Sequence, residues 1–238
     1  MRNMLIIAWR ELGAYFASPI AYLVMAGFLA IAGYFFTVIL IVFREASLER
    51  TFFNTVTILL FVSPLLAMRL LSEEQRPGTL ELLLTAPVRD WQVVWGKWLA
   101  AFILFVLMIA FTGVYVLILW RLGNPDFGPI LSGYLGLILL GAALLALGTL
   151  TSALTENQIV AAVLGIALVV LFWVSGAVSE VIGSTSLLGR FFEQLALSEH
   201  LFDFVRGVVD TAHVIYYLSV TVGALYLATR ILETRRWR

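Results

Sequence analysis

The amino-acid sequence predicts an all-α, polytopic membrane protein with six transmembrane helices and an N-terminal helix lying at the membrane interface. Three observations predict it. The mean hydropathy is +1.01, and only 13% of residues are charged, about half the share of a soluble domain. Six runs, at about 20–43, 52–70, 98–120, 130–153, 158–179 and 213–231, each have the roughly 20 apolar residues that a spanning helix needs. The interiors of these runs carry no Asp, Glu, Lys or Arg. Membrane strands would instead show segments of roughly ten residues with alternating hydropathy. Helices satisfy their own backbone hydrogen bonds in lipid.

The first stretch, 1–18, is of a different kind. Leu5, Trp9, Leu12 and Phe16 recur at helical spacing, with Asn3, Arg10 and Glu11 as polar company, and Ser18-Pro19 breaks the pattern. Trp9-Arg10-Glu11 interrupts any apolar core of a signal peptide, and no small-residue cleavage site follows. The reading is an interfacial helix that turns at Pro19 into the first span.

Basic residues set the orientation. With the N-terminus in the cytoplasm, that side carries ten of the 15 Lys and Arg residues and the other side five, so both termini and the 71–97 loop are expected to be cytoplasmic. Two connections are long, the cytoplasmic one at 71–97 and an external one at 180–212, and the rest are short. No linker or repeat divides residues 1–238, so one membrane domain is expected. Absence of cysteine excludes disulfides, thiolate metal sites and a cysteine nucleophile, and zero net charge gives no basic surface for nucleic acid.

The 71–97 loop concentrates charge. Glu73, Glu74 and Arg76 sit at the mouth of the second span. Pro77 disfavours helix at Arg76 and Gly78 permits a tight turn. Thr79 can cap a new helix, with Glu81 in its first turn where the dipole favours negative charge. Leu80, Leu83, Leu84 and Pro87 follow at helical spacing and give one apolar face. Pro87 ends this helix, and Asp90 is expected to cap the next, which runs through Lys97 into the third span. A helix of two turns is marginal alone. It must dock, either under its own bundle or on another chain.

The stretch EEQRPGTLELLLTAPV resembles the cytoplasmic signature of ABC-2-type permeases, the membrane subunits of one class of ATP-binding-cassette transporters. Glu74, Gly78, Thr79, Leu80, Glu81, Leu82, Leu83 and Pro87 carry the match. The interfacial helix, six spans and long external segment extend the similarity over the chain. The stretch LSEHLFDFVRGVVDTAHVIYYLSV is similar more narrowly to the gliding-motility and nitrous-oxide-reductase-accessory types. The resemblance implies that 79–86 is a coupling helix seated in a groove of a separate ABC ATPase subunit, present in two copies. It implies a second permease copy or a related permease, and residence in the cytoplasmic (inner) membrane of a prokaryote. ATP and Mg would be bound by the ATPase, and this chain would bind no cofactor. Export is the direction implied.

No ATP hydrolysis is expected of this chain. Its one lysine, Lys97, lies in WGKW, where Trp91 and Trp98 stand at the first Gly and the final Ser/Thr of a phosphate-binding loop. On the external side His200, Asp203, Arg206, Asp210 and His213 recur along one expected helical face, opposite Leu201, Phe202, Val205, Val208 and Val209. The His and Asp spacings suit a metal. Arg206 lies within reach of both acids and would repel one, so a solvated polar face is the expectation and no metal site is assigned. A second short helix is expected near 187–197.

No ionisable residue falls inside a span, which disfavours a proton- or sodium-coupled carrier. Thr55, Thr57, Ser63, Thr112, Ser132, Thr151 and Ser175 either line a pathway or bond their own helix backbone. The pairs Ala142/Ala146, Gly148/Ser152, Ala161/Gly165 and Ser175/Ser179 mark close helix contacts. An alternative to transport is an anchoring or mechanotransmission module that passes ATPase motion to an external accessory protein.

Overall fold

The computed structural model describes residues 2–43, 47–75, 88–123, 125–183 and 186–236. These residues form eleven helices and no strand. They are α1 (Arg2–Ala17), α2 (Pro19–Phe43), α3 (Glu49–Ala67), α4 (Arg69–Gln75), α5 (Asp90–Phe111), α6 (Gly113–Leu122), α7 (Phe127–Leu154), α8 (Gln158–Ile182), α9 (Leu187–Leu195), α10 (Leu197–Val205) and α11 (Thr211–Arg236). Six stretches are long and apolar enough to cross a membrane: Pro19–Phe43, Glu49–Glu73, Asp90–Leu122, Phe127–Leu154, Gln158–Ile182 and Thr211–Thr234. They coincide with the six expected runs.

Helix α7 is the axis of the bundle. Buried residues make up 72% of its most apolar stretch, against 22% for α2, and α3, α5, α8, α10 and α11 all pack on it. Small residues allow this crowding. Gly148 lies against Ala67 and Pro64, and Gly165 lies against Pro64 and Thr151. Ala142, Ala146, Ala161, Ser152, Ser175 and Ser179 are all buried. The paired small residues therefore do sit at helix contacts, where backbones approach closely.

Two of the spans are broken. Met68 separates α3 from α4 just beyond Pro64, whose ring is accommodated within α3. The third span breaks between α5 and α6 at Thr112, whose hydroxyl donates back to the Ile109 carbonyl at 2.6 Å and lies 3.1 Å from the Tyr134 hydroxyl. Thr55, Thr57, Ser63, Thr151 and Ser175 likewise donate to carbonyls one turn back. Ser132 lies 2.6 Å from the Phe204 carbonyl and ties α10 to α7. Most of these hydroxyls thus bond the backbone of their own helix, and Ser132 also joins two helices.

The packing of α1 divides its apolar residues. Ile7, Ala8 and Tyr15 are buried against the bundle, whereas Leu5, Ile6, Trp9 and Phe16 are exposed. An exposed row of large apolar side chains, Trp9 among them, on a helix docked beside the first span is what an interfacial helix presents to lipid.

The long connections are shorter than expected. Helix α4 reaches Gln75 and α5 starts at Asp90. Asp90 is the first residue of α5, not its cap. Arg89 occupies the cap in extended backbone, its amide donating to Gln92 Oε1 at 3.1 Å. On the other side, helix fills most of 180–212.

Candidate functional site

Two ends of the bundle hold the polar groups. The proximal end gathers α1, the α3–α4 break, the start of α5 and the end of α7. The distal end gathers α9, α10 and the start of α11.

At the proximal end, Lys97 Nζ donates to Glu11 Oε1 at 2.9 Å. The lysine is 2% and the glutamate 12% exposed. Gly96, beside it, lets the helices meet: a Cβ there would stand 2.8 Å from the Met4 carbonyl oxygen and about as close to Ile7. Helix α1 is thus pinned to α5 by an ion pair and a backbone-close contact. Tyr15 adds a second anchor, its hydroxyl donating to the Leu66 carbonyl at 2.7 Å. Burial pushes this phenol above its ordinary pKa, with Arg69 acting in the opposite direction, so it stays protonated and donates. Arg69 lies over the Tyr15 ring at 4.6 Å and pairs with Glu73 at 3.5 Å.

The start of α4 is held from outside its own sequence neighbourhood. Ser152 Oγ, near the end of α7, accepts from the amides of Leu71 and Ser72 at 3.0 and 3.1 Å and donates to the Met68 carbonyl at 2.8 Å. First-turn amides have no partner within their own helix. A remote serine supplies one here.

Of the residues read as ATPase-coupling, Glu73 is exposed at the end of α4 and Glu74 continues the same helix. Gly78, Thr79, Leu80, Glu81, Leu82, Leu83, Leu84 and Pro87 lie outside the described residues. What the structure adds is the frame on either side of them. Glu11, Tyr15 and Ser152 are frame residues whose roles sequence pattern does not disclose. Lys97 had a signal, being the lone lysine of an apolar stretch, and it lies in α5 as the sequence led one to expect; its burial and its pairing with Glu11 are what the sequence did not disclose.

The distal polar residues do not form one helical face. Helix α10 ends at Val205, Gly207 adopts φ +95°, and α11 begins at Thr211. The reversal brings His213 Nε2 to Asp203 Oδ2 at 2.8 Å. His213 Nδ1 is buried without a partner among the described residues. His200 donates from Nδ1 to the Ala196 carbonyl at 2.8 Å and stacks on Tyr216 at 3.7 Å between ring centres. Asp210 accepts from the Ala212 amide and caps α11, and Arg206 is exposed with no ion pair among the described residues. The expected solvated face is therefore a folded clasp, with the histidines turned inward and Arg206 apart from both acids. Phe202, Val208 and Val209 are exposed, while Leu201 and Val205 are buried. Tyr216 and Tyr217 complete the clasp by donating to the Leu195 and Leu197 carbonyls, each at 2.8 Å. Among the described residues, no three His, Asp or Glu side chains come together to hold a metal ion.

The clasp carries a pH dependence. Burial, foremost, holds the His200 pKa below the usual imidazole value, and nearby His213 acts in the same direction. The bond to Ala196 and the Asp203 charge oppose it. The unfolded chain therefore binds this proton more readily than the native chain, so stability rises with pH across the interval between the two pKa values. The His200 contribution is complete above about pH 6.5, the unfolded value, and is lost as pH falls through the lower folded value. Limited proteolysis of the 183–210 region should accelerate on acidification across that interval. His200→Phe, which keeps a ring on Tyr216 and cannot charge, should flatten the step; an unchanged step in this variant would remove His200 as its cause.

The comparison with known families fits this architecture. A family model described as "ABC-2 family transporter protein" matches residues 16–233, which take in five spans whole and all but the last residue of the sixth. No curated protein matches the chain. With nearly its whole length matched and six membrane-length helices, the chain belongs to the ABC-2 transporter family, as the multi-pass permease subunit of an ATP-binding-cassette transporter.

Proposed function

We propose that this permease is an exporter driven by two copies of a separate ABC ATPase, which bind ATP and Mg, through a coupling helix at 79–86. Both termini and that helix face the cytoplasm, in the inner membrane of a prokaryote, and a second permease copy or a related permease completes the pathway. The bundle itself is not the enzyme. The observation that supports this reading most is the frame on either side of 76–87. Ser152 grips the start of α4, and the Glu11–Lys97 pair fixes the start of α5 to α1. A push on the intervening segment would therefore move α3, α5 and α7 together instead of being absorbed locally. The sequence GTLELLL supplies the apolar face for an ATPase groove.

The gliding-motility and nitrous-oxide-accessory type is the subfamily we favour, on the 197–220 stretch. A second reading, anchoring or mechanotransmission to an external protein without substrate flux, is favoured by one observation. At the distal end Val181, Leu187, Leu188 and Phe191 are exposed together with α9 docked on α8, giving an apolar surface there.

The coupling assignment is tested by purifying the chain with the ATPase that accompanies it. Glu81→Arg and Leu83→Asp should each abolish co-purification or substrate-dependent ATPase activity, with the permease still folded and inserted. Retention of both properties in both variants would end the assignment. ATPase turnover that responds to an external partner and not to any substrate would select the second reading.

A further inference from the structure

A cleft of about 160 Å³ opens at the proximal end, where the last turn of α1, the first turns of α2, the α3–α4 break and Gln158 of α8 meet. Part of its lining is apolar, from Ile20, Ala21, Val24 and Leu65, and a polar rim is supplied by Ser18, Arg69, Glu73 and Gln158. Ile20 is 55% and Leu65 39% exposed, so the apolar wall runs out onto the surface that a bilayer covers. The polar rim lies at the end of the second span, whose last residue is Glu73, the depth at which lipid headgroups lie.

The rim carries one charge of each sign. Arg69 Nε is 3.5 Å from Glu73 Oε2, longer than the roughly 2.7–2.9 Å of a direct charge-assisted hydrogen bond. One face of the guanidinium is covered by the Tyr15 ring. Its terminal nitrogens make no hydrogen bond among the described residues. The two charges are thus adjacent but not closed on each other. A guanidinium matches a phosphate, and a carboxylate matches a primary ammonium.

We infer that the cleft is a binding site for a zwitterionic amino-phospholipid, with its phosphate on Arg69, its ammonium on Glu73, and an acyl chain along Ile20, Val24 and Leu65. An anionic phospholipid would satisfy Arg69 and place its surplus charge against Glu73. A free phosphate would leave the apolar wall unused. Glu73 also belongs to the residues read as ATPase-coupling, so the test reads lipid retention by the permease alone, without the ATPase.

Native mass spectrometry of the purified protein in a mild detergent tests this. Micelles are doped in turn with phosphatidylethanolamine or phosphatidylglycerol, or inorganic phosphate is added to the buffer. The wild-type chain should retain one phosphatidylethanolamine in preference to phosphatidylglycerol. Arg69→Gln should weaken retention by about tenfold or more, the scale of one charge-assisted contact. Val24→Trp, which fills the apolar half and leaves both charges in place, should also lose the lipid. Glu73→Gln, at an exposed residue, should narrow the preference between the two lipids. Arg121→Gln, at an exposed residue of α6 outside the cleft, should bind as wild type. Equal binding of the two lipids by wild type, full competition by inorganic phosphate, or undiminished binding in Val24→Trp would each overturn the inference.

Discussion

Lys97→Met will release α1 from the bundle and lower stability by about 3–5 kcal/mol, the cost of stranding one partner of a buried ion pair. The group left behind is Glu11, 12% exposed, whose remaining partner among the described residues is the more exposed Arg10 guanidinium at 3.4 Å. Taking both charges away behaves differently. Glu11→Met combined with Lys97→Met replaces the pair by apolar side chains and should recover most of the loss, since a buried pair and its apolar substitute are often of similar stability. Unfolding midpoints in detergent for the two single variants and the double variant check this. The chain has no cysteine, so Asn3→Cys gives a unique site for a fluorophore that reports undocking of α1. A single Lys97→Met variant with the wild-type midpoint would show that the pair does not hold α1.

Ser152→Ala will open the start of α4. One hydroxyl serves the Leu71 and Ser72 amides and the Met68 carbonyl, and Leu71, Ser72 and Ser152 are all fully buried. The Met68 carbonyl keeps the Ser72 hydroxyl as a donor, whereas each of the two amides left without a partner costs about 1–3 kcal/mol. Water cannot replace the hydroxyl easily where the surroundings are closed. Hydrogen exchange at amides 71 and 72 should accelerate strongly, ahead of any change in the middle of α7. If α4 transmits force from the adjoining segment, ATPase stimulation should fall further than the melting temperature would suggest. Unchanged protection at both amides would show that the backbone finds other partners and that Ser152 is dispensable.

The six spans were legible because hydropathy over twenty residues is a local property, and lipid lets almost nothing else span it. The small-residue pairs were legible for a related reason, since spacing by four places Gly148 and Ser152 on one side of a helix. Other features depend on partners far away in the chain. Glu11 and Lys97 are 86 positions apart, and Leu71 and Ser152 are 81 apart. Neither pairing leaves a periodicity to read. Two misreadings had available signals. Arg206-Gly207 held the turn that divides α10 from α11, because φ +95° suits glycine; taking 200–213 as one helix placed Arg206 beside two acids that use other partners. Asp90 looked like a cap by residue type, yet Gln92 at the third position of α5 makes the closing bond to Arg89. The residues named for ATPase coupling within 78–87 rest on motif alone.

The third span contains 33 residues from Asp90 to Leu122, about 50 Å of helix at ~1.5 Å per residue. A hydrocarbon layer is about 30 Å thick. The rod therefore either leans steeply or stands clear of the lipid by several turns, and Thr112 gives it an elbow partway along. A jointed rod does not behave as a piston. Displacement at its Asp90 foot would meet the interruption at Thr112 before it reached the far half of the span.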